Sequence, residues 1–235
     1  MHPLRRPGAA PLHYLPEVPP ELLAFDLRLG AVWAAVQVRM AQDGAHDTGH
    51  LARVARWAVR LAPETPALAV AAALTHDLVN LPVNHPERAR ASELSATQAR
   101  ELLRVCGFTE AEADAVALAV RDHSFSRGAA PETPLAAALQ DADRLDALGA
   151  LGVLRAATVG GALGRPLLDA GDPWAERRPL DDARFTLDHF FTKLLRLPEG
   201  FHTAAGRLEA ERRARAMRDF LGELGLELSA GGPPN

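Results

Sequence analysis

The sequence predicts an all-α fold in a single helical domain. Alanine and leucine dominate the chain while aromatic residues make up only 5% of it, and this mixture favours helix over strand because Ala and Leu lose little side-chain entropy in a helix. Between the two ends, apolar residues recur with a helical period of about 3.6 residues. The length of 235 residues and the hydrophobic fraction of 48% are sufficient for one domain with a substantial core.

The two ends of the chain are predicted to lie outside this domain. Six prolines fall within residues 1–20, which predicts an irregular N-terminal arm. Residues 227–235 finish with the letters SAGGPPN, which predict a flexible tail. The helical domain is therefore predicted to span residues 21–226.

Capping residues divide the domain into helices. Asp47 is a candidate N-cap, and Thr65-Pro66 is a cap followed by proline at the first helical position. Gly107 is of the type that commonly follows the end of a helix. The first four helices are therefore predicted at about 21–41, 47–61, 66–78 and 90–107.

Similar signals define the second half of the chain. Thr109 and Glu112 form a capping box, and Thr133-Pro134 repeats the pattern of a cap followed by proline. Gly, Pro and Asp are frequent at 160–182, which predicts a long loop. Helices are therefore predicted at about 109–123, from 133 past Gly149, at 183–197 and at 203–225.

Two of these helices have apolar faces that a structure can check. The periodicity of the first helix predicts a buried face made of Leu22, Phe25, Leu29, Trp33, Val36 and Met40. The helix at 183–197 is predicted to bury Phe190, Leu194 and Leu197.

Charge and cysteine content exclude several classes of protein. The net charge is -4 with the two signs mixed, which argues against binding to a nucleic acid polymer or to an anionic membrane. No stretch has the ~18 apolar residues of a membrane span, and Arg5 and Arg6 are not followed by the apolar run of a secretion signal. A single cysteine, Cys106, excludes an intramolecular disulfide and a multi-cysteine zinc site. We expect a cytoplasmic protein.

The adjacent pair His76-Asp77 is the centre of the predicted chemistry. An imidazole nitrogen and a carboxylate oxygen at one helix end can reach the same cation, and a divalent metal accepts such mixed ligands. His50 and Asp143 complete a set of two nitrogen and two oxygen donors, which leaves room for water and substrate. A metal in such a site lowers the pKa of bound water and polarises a phosphoryl oxygen.

Each of these residues also has an ordinary structural explanation. A His-Asp dipeptide is common in proteins, His50 alone would pack on a helix, and Asp143 alone would be a solvated acid paired with Arg144. Their combination in this order is much rarer than any of them singly. We therefore expect one divalent metal ion held by His50, His76, Asp77 and Asp143.

At this point the sequence resembles a known family. The order His50, His76-Asp77, Asp143 is similar to the pattern of the HD-domain phosphohydrolase superfamily. The segments AHDTGHLARV, NHPERARAS, DHSFS, QDADRLDALGALG and HFFTKLLRLPEGFHT resemble the small bacterial HD hydrolases of the YedJ/YpgQ type, over about residues 22–225.

The resemblance implies an HD-type helical bundle and a divalent metal. Mn²⁺ is the expected ion, with Mg²⁺, Fe²⁺, Ni²⁺ and Co²⁺ as alternatives. It further implies cleavage of a deoxynucleoside triphosphate to monophosphate and pyrophosphate. Leu78-Val79-Asn80 follows the HD pair, without the glycine or the acidic pair of other HD branches, and this argues against cyclic dinucleotides and alarmones as substrates.

Several polar residues near the quartet are candidates for supporting roles. His123 in the segment RDHSFS is a candidate catalytic residue beside Asp77: it would orient a phosphate, donate a proton or bind a second metal, and otherwise it is a histidine stabilised by a helix end. His46, Asp47 and Asp146 are candidates for holding a metal-binding imidazole in orientation. Asp47 has the alternative role of an N-cap. Asp143 is preferred to Asp146 as ligand because of its position in the family pattern.

Three basic residues are candidates for phosphate binding, together with His123. Arg88 and Arg90 lie on the loop predicted after the HD pair, and guanidinium groups suit phosphate oxygens. Lys193 is the only lysine of the chain and falls in HFFTKLL, where its ammonium would meet a phosphate as a point charge. All three are otherwise surface cations.

These residues support a metal-dependent phosphohydrolase whose partner is a small phosphorylated molecule, a nucleotide being expected. Two alternatives stay open: a phosphodiesterase or phosphatase of another metabolite, and a binding module that senses a nucleotide without turnover. The oligomeric state is also left open, with a homo-oligomer as one option.

Overall fold

The structure, a computed structural model, describes residues 20–39, 48–81, 85–124, 128 and 130–229. Within those ranges the chain forms helices and no strand, as the sequence predicts for an all-α protein. The helices are α1 (Pro20–Leu23), α2 (Arg28–Arg39), α3 (Thr48–Leu61), α4 (Pro66–Thr75), α5 (Ala91–Val105), α6 (Glu110–Asp122), α7 (Pro134–Asp146), α8 (Gly149–Ala162), α9 (Asp188–Thr192) and α10 (Ala204–Ser229). Short 3-10 turns occupy Arg88–Arg90 and Leu194–Gly200.

Helix α4 is the centre of the larger core. Its residues from Ala69 to Leu74 are all fully buried, and a helix that is apolar on every side is stable only when other helices surround it. The helices that surround α4 are α2, α3, α5, α6 and α7. As α4 ends, His76 and Asp77 therefore emerge inside the bundle and not at its outer surface.

A second core lies between α8, α10 and the segment around α9. The side chains predicted to be buried at Phe190, Leu194 and Leu197 are each 4% exposed, which confirms that prediction. They pack with Met217 and Leu221 of α10. Phe190 and Leu194 belong to this second core, so it holds the segment that carries Lys193 in place.

Asp26 explains why the predicted first helix is two helices. Its carboxylate accepts the backbone N–H of Arg28 over 2.8 Å, and a side chain that bonds the nearby backbone competes with helix hydrogen bonds. The break turns Phe25 outward, at 42% exposed, so its predicted burial is wrong, whereas Leu22, Leu29, Trp33 and Val36 are buried. Met40, the last member of that predicted face, lies outside the described residues.

Two predicted helices in the second half of the chain are also interrupted. The helix predicted to pass Gly149 ends at Asp146, because Leu148 adopts an extended conformation and Gly149 follows it with a positive φ of 73°. Helix α8 then starts at an angle of 71° to α7. The helix predicted at 183–197 is reduced to α9 and a 3-10 turn, with Lys193 between them in a non-helical conformation.

The last predicted helix forms, but it ends later than predicted. Helix α10 begins at Ala204 and continues to Ser229, so residues 227–229 extend it. Residues 1–19 of the predicted arm and 230–235 of the predicted tail lie outside the described residues. Among the helices that are described, none is by itself both long and apolar enough to span a membrane, and only the bent pair of α7 and α8 meets the criteria of length and composition together.

Candidate metal centre

Packing of α3, α4 and α7 brings the four predicted ligands together. His50 lies in the first turn of α3, His76 and Asp77 directly follow α4, and Asp143 lies near the end of α7. The two histidines are buried, at 1% and 0% exposed, while the Asp77 and Asp143 side chains keep 22% and 30% of their surface open. The site is thus closed on the histidine side and open on the carboxylate side.

The donor atoms of the four side chains approach one another around a shared space. The Nε2 atoms of His50 and His76 are 3.3 Å apart. Asp143 Oδ1 lies 3.4 Å from the first and 3.8 Å from the second, and Asp77 Oδ2 lies 3.9 Å and 3.4 Å from them. Two ligands that each lie about 2.0–2.4 Å from a common cation are about 2.8–4.8 Å apart. His50, His76 and Asp143 form a group whose ligand atoms all lie within 4.8 Å of one another, which suits one divalent metal. Asp77 comes within that distance of both histidines.

Hydrogen bonds to the far side of each ring orient the histidines. His76 Nδ1–H donates to the Ala73 carbonyl over 2.8 Å, and His50 Nδ1–H donates to Asp146 Oδ2 over 2.7 Å. With a proton on Nδ1 alone, each ring presents the lone pair of Nε2 to the shared space. Metal-binding histidines are characteristically held this way, so the donor set fits a divalent metal in chemistry as well as in spacing.

Asp146 lies behind His50 and not among the four donors. It is 3% exposed, and Arg53 binds its two oxygens over 2.8 and 3.0 Å. Arg155 also donates to Asp146 and lies 2.8 Å from His50 Nδ1. This arrangement is the one predicted for a residue that orients a ligand, and it leaves Asp143 in the position predicted for the ligand itself.

Burial and charge shift the pKa values of the four side chains in different directions. Burial alone would lower the pKa of His50, but its hydrogen bonds with Asp143 and Asp146 outweigh burial and raise it to about 9. Burial dominates at His76 and lowers its pKa. Although burial opposes ionisation of Asp77 and Asp143, the neighbouring histidines hold the pKa of both carboxyls below the usual range. Two ionised carboxylates in one site are a suitable environment for a cation.

His123 extends the cluster on the side of Asp77. Its Nδ1–H donates to the Val120 carbonyl over 2.6 Å, and its Nε2 lies 3.7 Å from Asp77 Oδ1. The ring meets that of His76 edge to face at 5.0 Å. Among the described residues, two groups of three side chains have potential ligand atoms within 4.8 Å of one another: His50, His76 and Asp143, and His76, Asp77 and His123. His76 belongs to both groups.

Two cavities that share Arg88 lie near the cluster, and residues of the cluster line the smaller one. The smaller, of about 80 Å³, is bounded by His76, Asp77 and His123 on one side and by Arg88 on another. The larger, of about 390 Å³, is lined by Arg88, Arg155 and Lys193. Arg88 belongs to both cavities, and burial together with the nearby cations lowers the pKa of Lys193, although Asp143 is close enough to oppose that shift. The structure therefore brings Arg88 and His123 to the cluster and places Lys193 in the neighbouring cavity, near enough for Asp143 to affect its pKa.

Arg90 is not brought to the cluster. Its side chain is 60% exposed and pairs with Glu87 over 2.8 Å and with Glu93 over 3.8 Å. Its neighbour Arg88 turns the other way and donates to the Leu81 carbonyl. His46 and Asp47, predicted to support an imidazole, lie outside the described residues.

The sequence analysis did not single out Arg53 or Arg155, which the structure joins to Asp146. Arg155 lies 105 residues from His50 in the chain, in a segment of α8 without any recognisable motif. In a chain rich in arginine, residue type alone does not distinguish a buried partner of a carboxylate from a surface cation.

This chain is similar in sequence to a known protein family and to a bacterial relative. Residues 48–148, from the start of α3 to just beyond α7, match the HD domain family. Protein YpgQ of Bacillus subtilis (strain 168) is 34% identical over 190 residues, which cover 78% of this chain and 84% of YpgQ.

Solved structures agree with the sequence match. The crystal structure of B. subtilis YpgQ in complex with ADP has a TM-score of 0.64 at 32% identity and covers 83% of this chain and 95% of that one. An HD-superfamily hydrolase from Bacillus thuringiensis has a TM-score of 0.67 at 28% identity, with coverage of 88% and 99%. The chain therefore belongs to the HD-domain superfamily of hydrolases, whose domains bind divalent metals.

Proposed function

We propose that this protein is a metal-dependent phosphohydrolase that cleaves a deoxynucleoside triphosphate into the monophosphate and pyrophosphate. The observation that carries the proposal is the convergence of two imidazole nitrogens and two carboxylates, with distances of 3.3–3.9 Å between the nitrogens and from each nitrogen to the carboxylate oxygens. His50, His76, Asp77 and Asp143 would hold the ion, and Mn²⁺ is the proposed metal. When bound, a divalent ion supplies Lewis acidity toward a phosphoryl oxygen.

Cations beside the cluster support a phosphorylated substrate. Lys193 and Arg88 line the larger cavity, and Lys193 lies close enough to Asp143 for the carboxylate to affect its pKa. A triphosphate carries more negative charge than one divalent ion neutralises, so a binding site for it needs such groups nearby. YpgQ, a relative of this protein, has been crystallised in complex with ADP, and this supports a nucleotide as the ligand of this protein as well.

The reaction assigns a task to the residues around the ion. The oxygen of a water molecule forms a bond to the α-phosphorus, and the bond from that phosphorus to the bridging oxygen breaks. Pyrophosphate leaves with the electron pair. Asp77 is proposed to take up the proton of the attacking water, and His123, whose Nε2 lies 3.7 Å from Asp77 Oδ1, to orient a phosphoryl oxygen or to protonate the leaving group.

A small-molecule phosphorylated substrate also agrees with the charge of the chain. Because the net charge of the chain is -4, the positive charge beside the cluster is confined to a small region. Binding of a nucleic acid polymer would require an extended basic surface. We propose a cytoplasmic enzyme, where nucleotides are available.

Product analysis tests the proposal most directly. The purified protein would be incubated with each dNTP, the matching ribonucleotides and a panel of phosphate mono- and diesters, with Mn²⁺ and with a chelator. We expect pyrophosphate and monophosphate from dNTPs, and no product with the chelator. Orthophosphate as the first product, or turnover of the esters alone, would identify a phosphatase or phosphodiesterase. Binding of a dNTP by calorimetry without any product would identify a sensing module.

A further inference from the structure

The smaller cavity beside the cluster has a second wall that the proposed chemistry does not use. This wall is the start of α5, where Ala91 and Ser92 face the space between Arg88 and the side chains of His76 and His123. Helix α5 has 15 residues, so its first turn carries a partial positive charge. The Ala91 N–H is already bonded to the Arg88 carbonyl, and the side chains must therefore supply the specific contacts.

Ser92 is the side chain that stands out on this wall. It is 3% exposed, and among the described residues its Oγ has no hydrogen-bond partner. A buried hydroxyl without a partner costs free energy, so its position in a cavity next to a proposed catalytic cluster indicates a ligand that completes it.

Ser95, one turn further along the same helix, shows what a structural serine does in the same cavity. It is 1% exposed, and its Oγ accepts the Val79 N–H over 3.0 Å and lies 3.4 Å from the Val79 carbonyl. Ser95 therefore fixes the segment that follows His76-Asp77. Ser92 has the same residue type, burial and helix face, but no corresponding bond.

Arg88 supplies charge opposite Ser92. Its guanidinium donates to the Leu81 carbonyl through one nitrogen, and a guanidinium has five N–H donors. The carboxylate facing the same space is Asp77, which the proposed metal would neutralise. A hydroxyl donor, a guanidinium and a helix N-terminus in one place select a tetrahedral oxyanion.

We propose that this cavity binds a phosphoryl group of the leaving side of the substrate through Ser92 and Arg88. Its volume of about 80 Å³ suits one phosphoryl group better than a nucleoside. The nucleoside would occupy the cavity of about 390 Å³ that shares Arg88. This assignment rests on the proposed function, since it is the cluster beside this cavity that would cleave the substrate.

The two serines provide a matched test. Orthophosphate and pyrophosphate would be titrated calorimetrically into wild type, Ser92→Ala and Ser95→Ala, without metal and with Mn²⁺, and melting temperatures would be recorded without anion. We expect Ser92→Ala to weaken orthophosphate binding about tenfold or more in both conditions and to leave the melting temperature unchanged or higher. Ser95→Ala should lower the melting temperature and change orthophosphate affinity less than about twofold.

The outcomes separate this assignment from the proposed function. If Ser92→Ala binds both anions as wild type does, or melts lower as Ser95→Ala is expected to, Ser92 is a packing residue and the subsite is wrong. That result is informative even if wild type cleaves dNTPs. If wild type cleaves no nucleotide but loses orthophosphate affinity specifically through Ser92→Ala, the subsite holds and the proposed substrate is wrong.

Discussion

The four proposed metal ligands and the cations around them differ in how the chain holds them. His50 and His76 are almost fully buried, and each has its Nδ1 fixed by a hydrogen bond from its own surroundings, to Asp146 and to the Ala73 carbonyl. Arg88 and Lys193 line an open cavity, and Lys193 lies at the break between α9 and a 3-10 turn. One set is prearranged by the bundle core, whereas the other is positioned by segments at its edge.

This difference has a consequence for function. Prearranged ligands cost little ordering free energy when an ion binds, and their geometry discriminates among ions. Long cationic side chains at an edge can follow phosphate groups of different position. We therefore expect substitutions of the four proposed metal ligands to abolish metal binding. Substitutions of the cations Arg88 and Lys193 should weaken substrate binding without changing metal affinity.

The largest expected effect is that of Asp77→Ala. Loss of one carboxylate donor should remove the metal and lower turnover on the order of a thousandfold or more, while the apolar faces of α4 and its neighbours keep the fold. Metal content, activity and circular dichroism on the same preparation measure this. Asp114→Ala is a suitable control, because Asp114 is exposed on α6 and its ion pair is with Arg100, away from the cluster. Full activity of Asp77→Ala would refute the proposed cluster.

The next effect tests prearrangement itself through Asp146→Asn. The amide keeps the shape of the carboxylate but weakens the bond that fixes His50, and loss of such a partner typically lowers metal affinity about ten- to a hundredfold. Isothermal titration with Mn²⁺ measures it. Asp188→Asn is the matched control, since Asp188 is also buried and paired with an arginine, Arg178, in the other core. Equal loss of affinity in both variants would mean general destabilisation and not orientation of His50.

The cationic set is tested by comparing Lys193→Ala with Arg90→Ala. Loss of a charged contact to phosphate at Lys193 should reduce kcat/KM for a dNTP at saturating metal by about ten- to a hundredfold, mainly through KM. Arg90 is exposed and paired with Glu87 and Glu93, so its variant should keep wild-type kinetics. Metal affinity without substrate should change in neither. Wild-type kinetics of Lys193→Ala would assign this lysine to the surface, and a loss of metal affinity alone would place it with the residues that support the ligands.

The same contrast explains how much was predictable from the sequence. His76-Asp77 is adjacent in the chain, and His50 and Asp143 occur at helix positions that family motifs mark, so local patterns were sufficient to select residues that the bundle then brings together. Their ligation of a metal stays a prediction. Arg53 and Arg155 meet at Asp146 from distant helices, and no local pattern records such a contact.

The errors in the predicted helices have the same origin. Periodicity continued through Asp26 and Gly149, but a side-chain bond to the backbone at the first and a positive φ at the second end the helices there. The helix predicted at 183–197 buries the expected apolar residues, yet its backbone is interrupted at Lys193. Burial patterns were thus more predictable than backbone continuity, because burial depends on side-chain type and continuity on single local bonds.

The last expected effect concerns pH, and it distinguishes the two sets again. The pKa of His50 is raised to about 9 in the metal-free protein, where hydrogen bonds with Asp143 and Asp146 outweigh burial. A protonated imidazole cannot bind a metal, so the proton competes with the ion below that pH. Apparent Mn²⁺ affinity should therefore increase about tenfold per pH unit from pH 7 and level off near pH 9. Because Asp146→Asn removes one of the groups that raise this pKa, its curve should level off at lower pH, whereas Lys193→Ala should reproduce the wild-type curve. If the wild-type affinity is constant between pH 7 and 9, His50 is neutral over that range. Asp146 would then orient the imidazole ring without raising the pKa of His50.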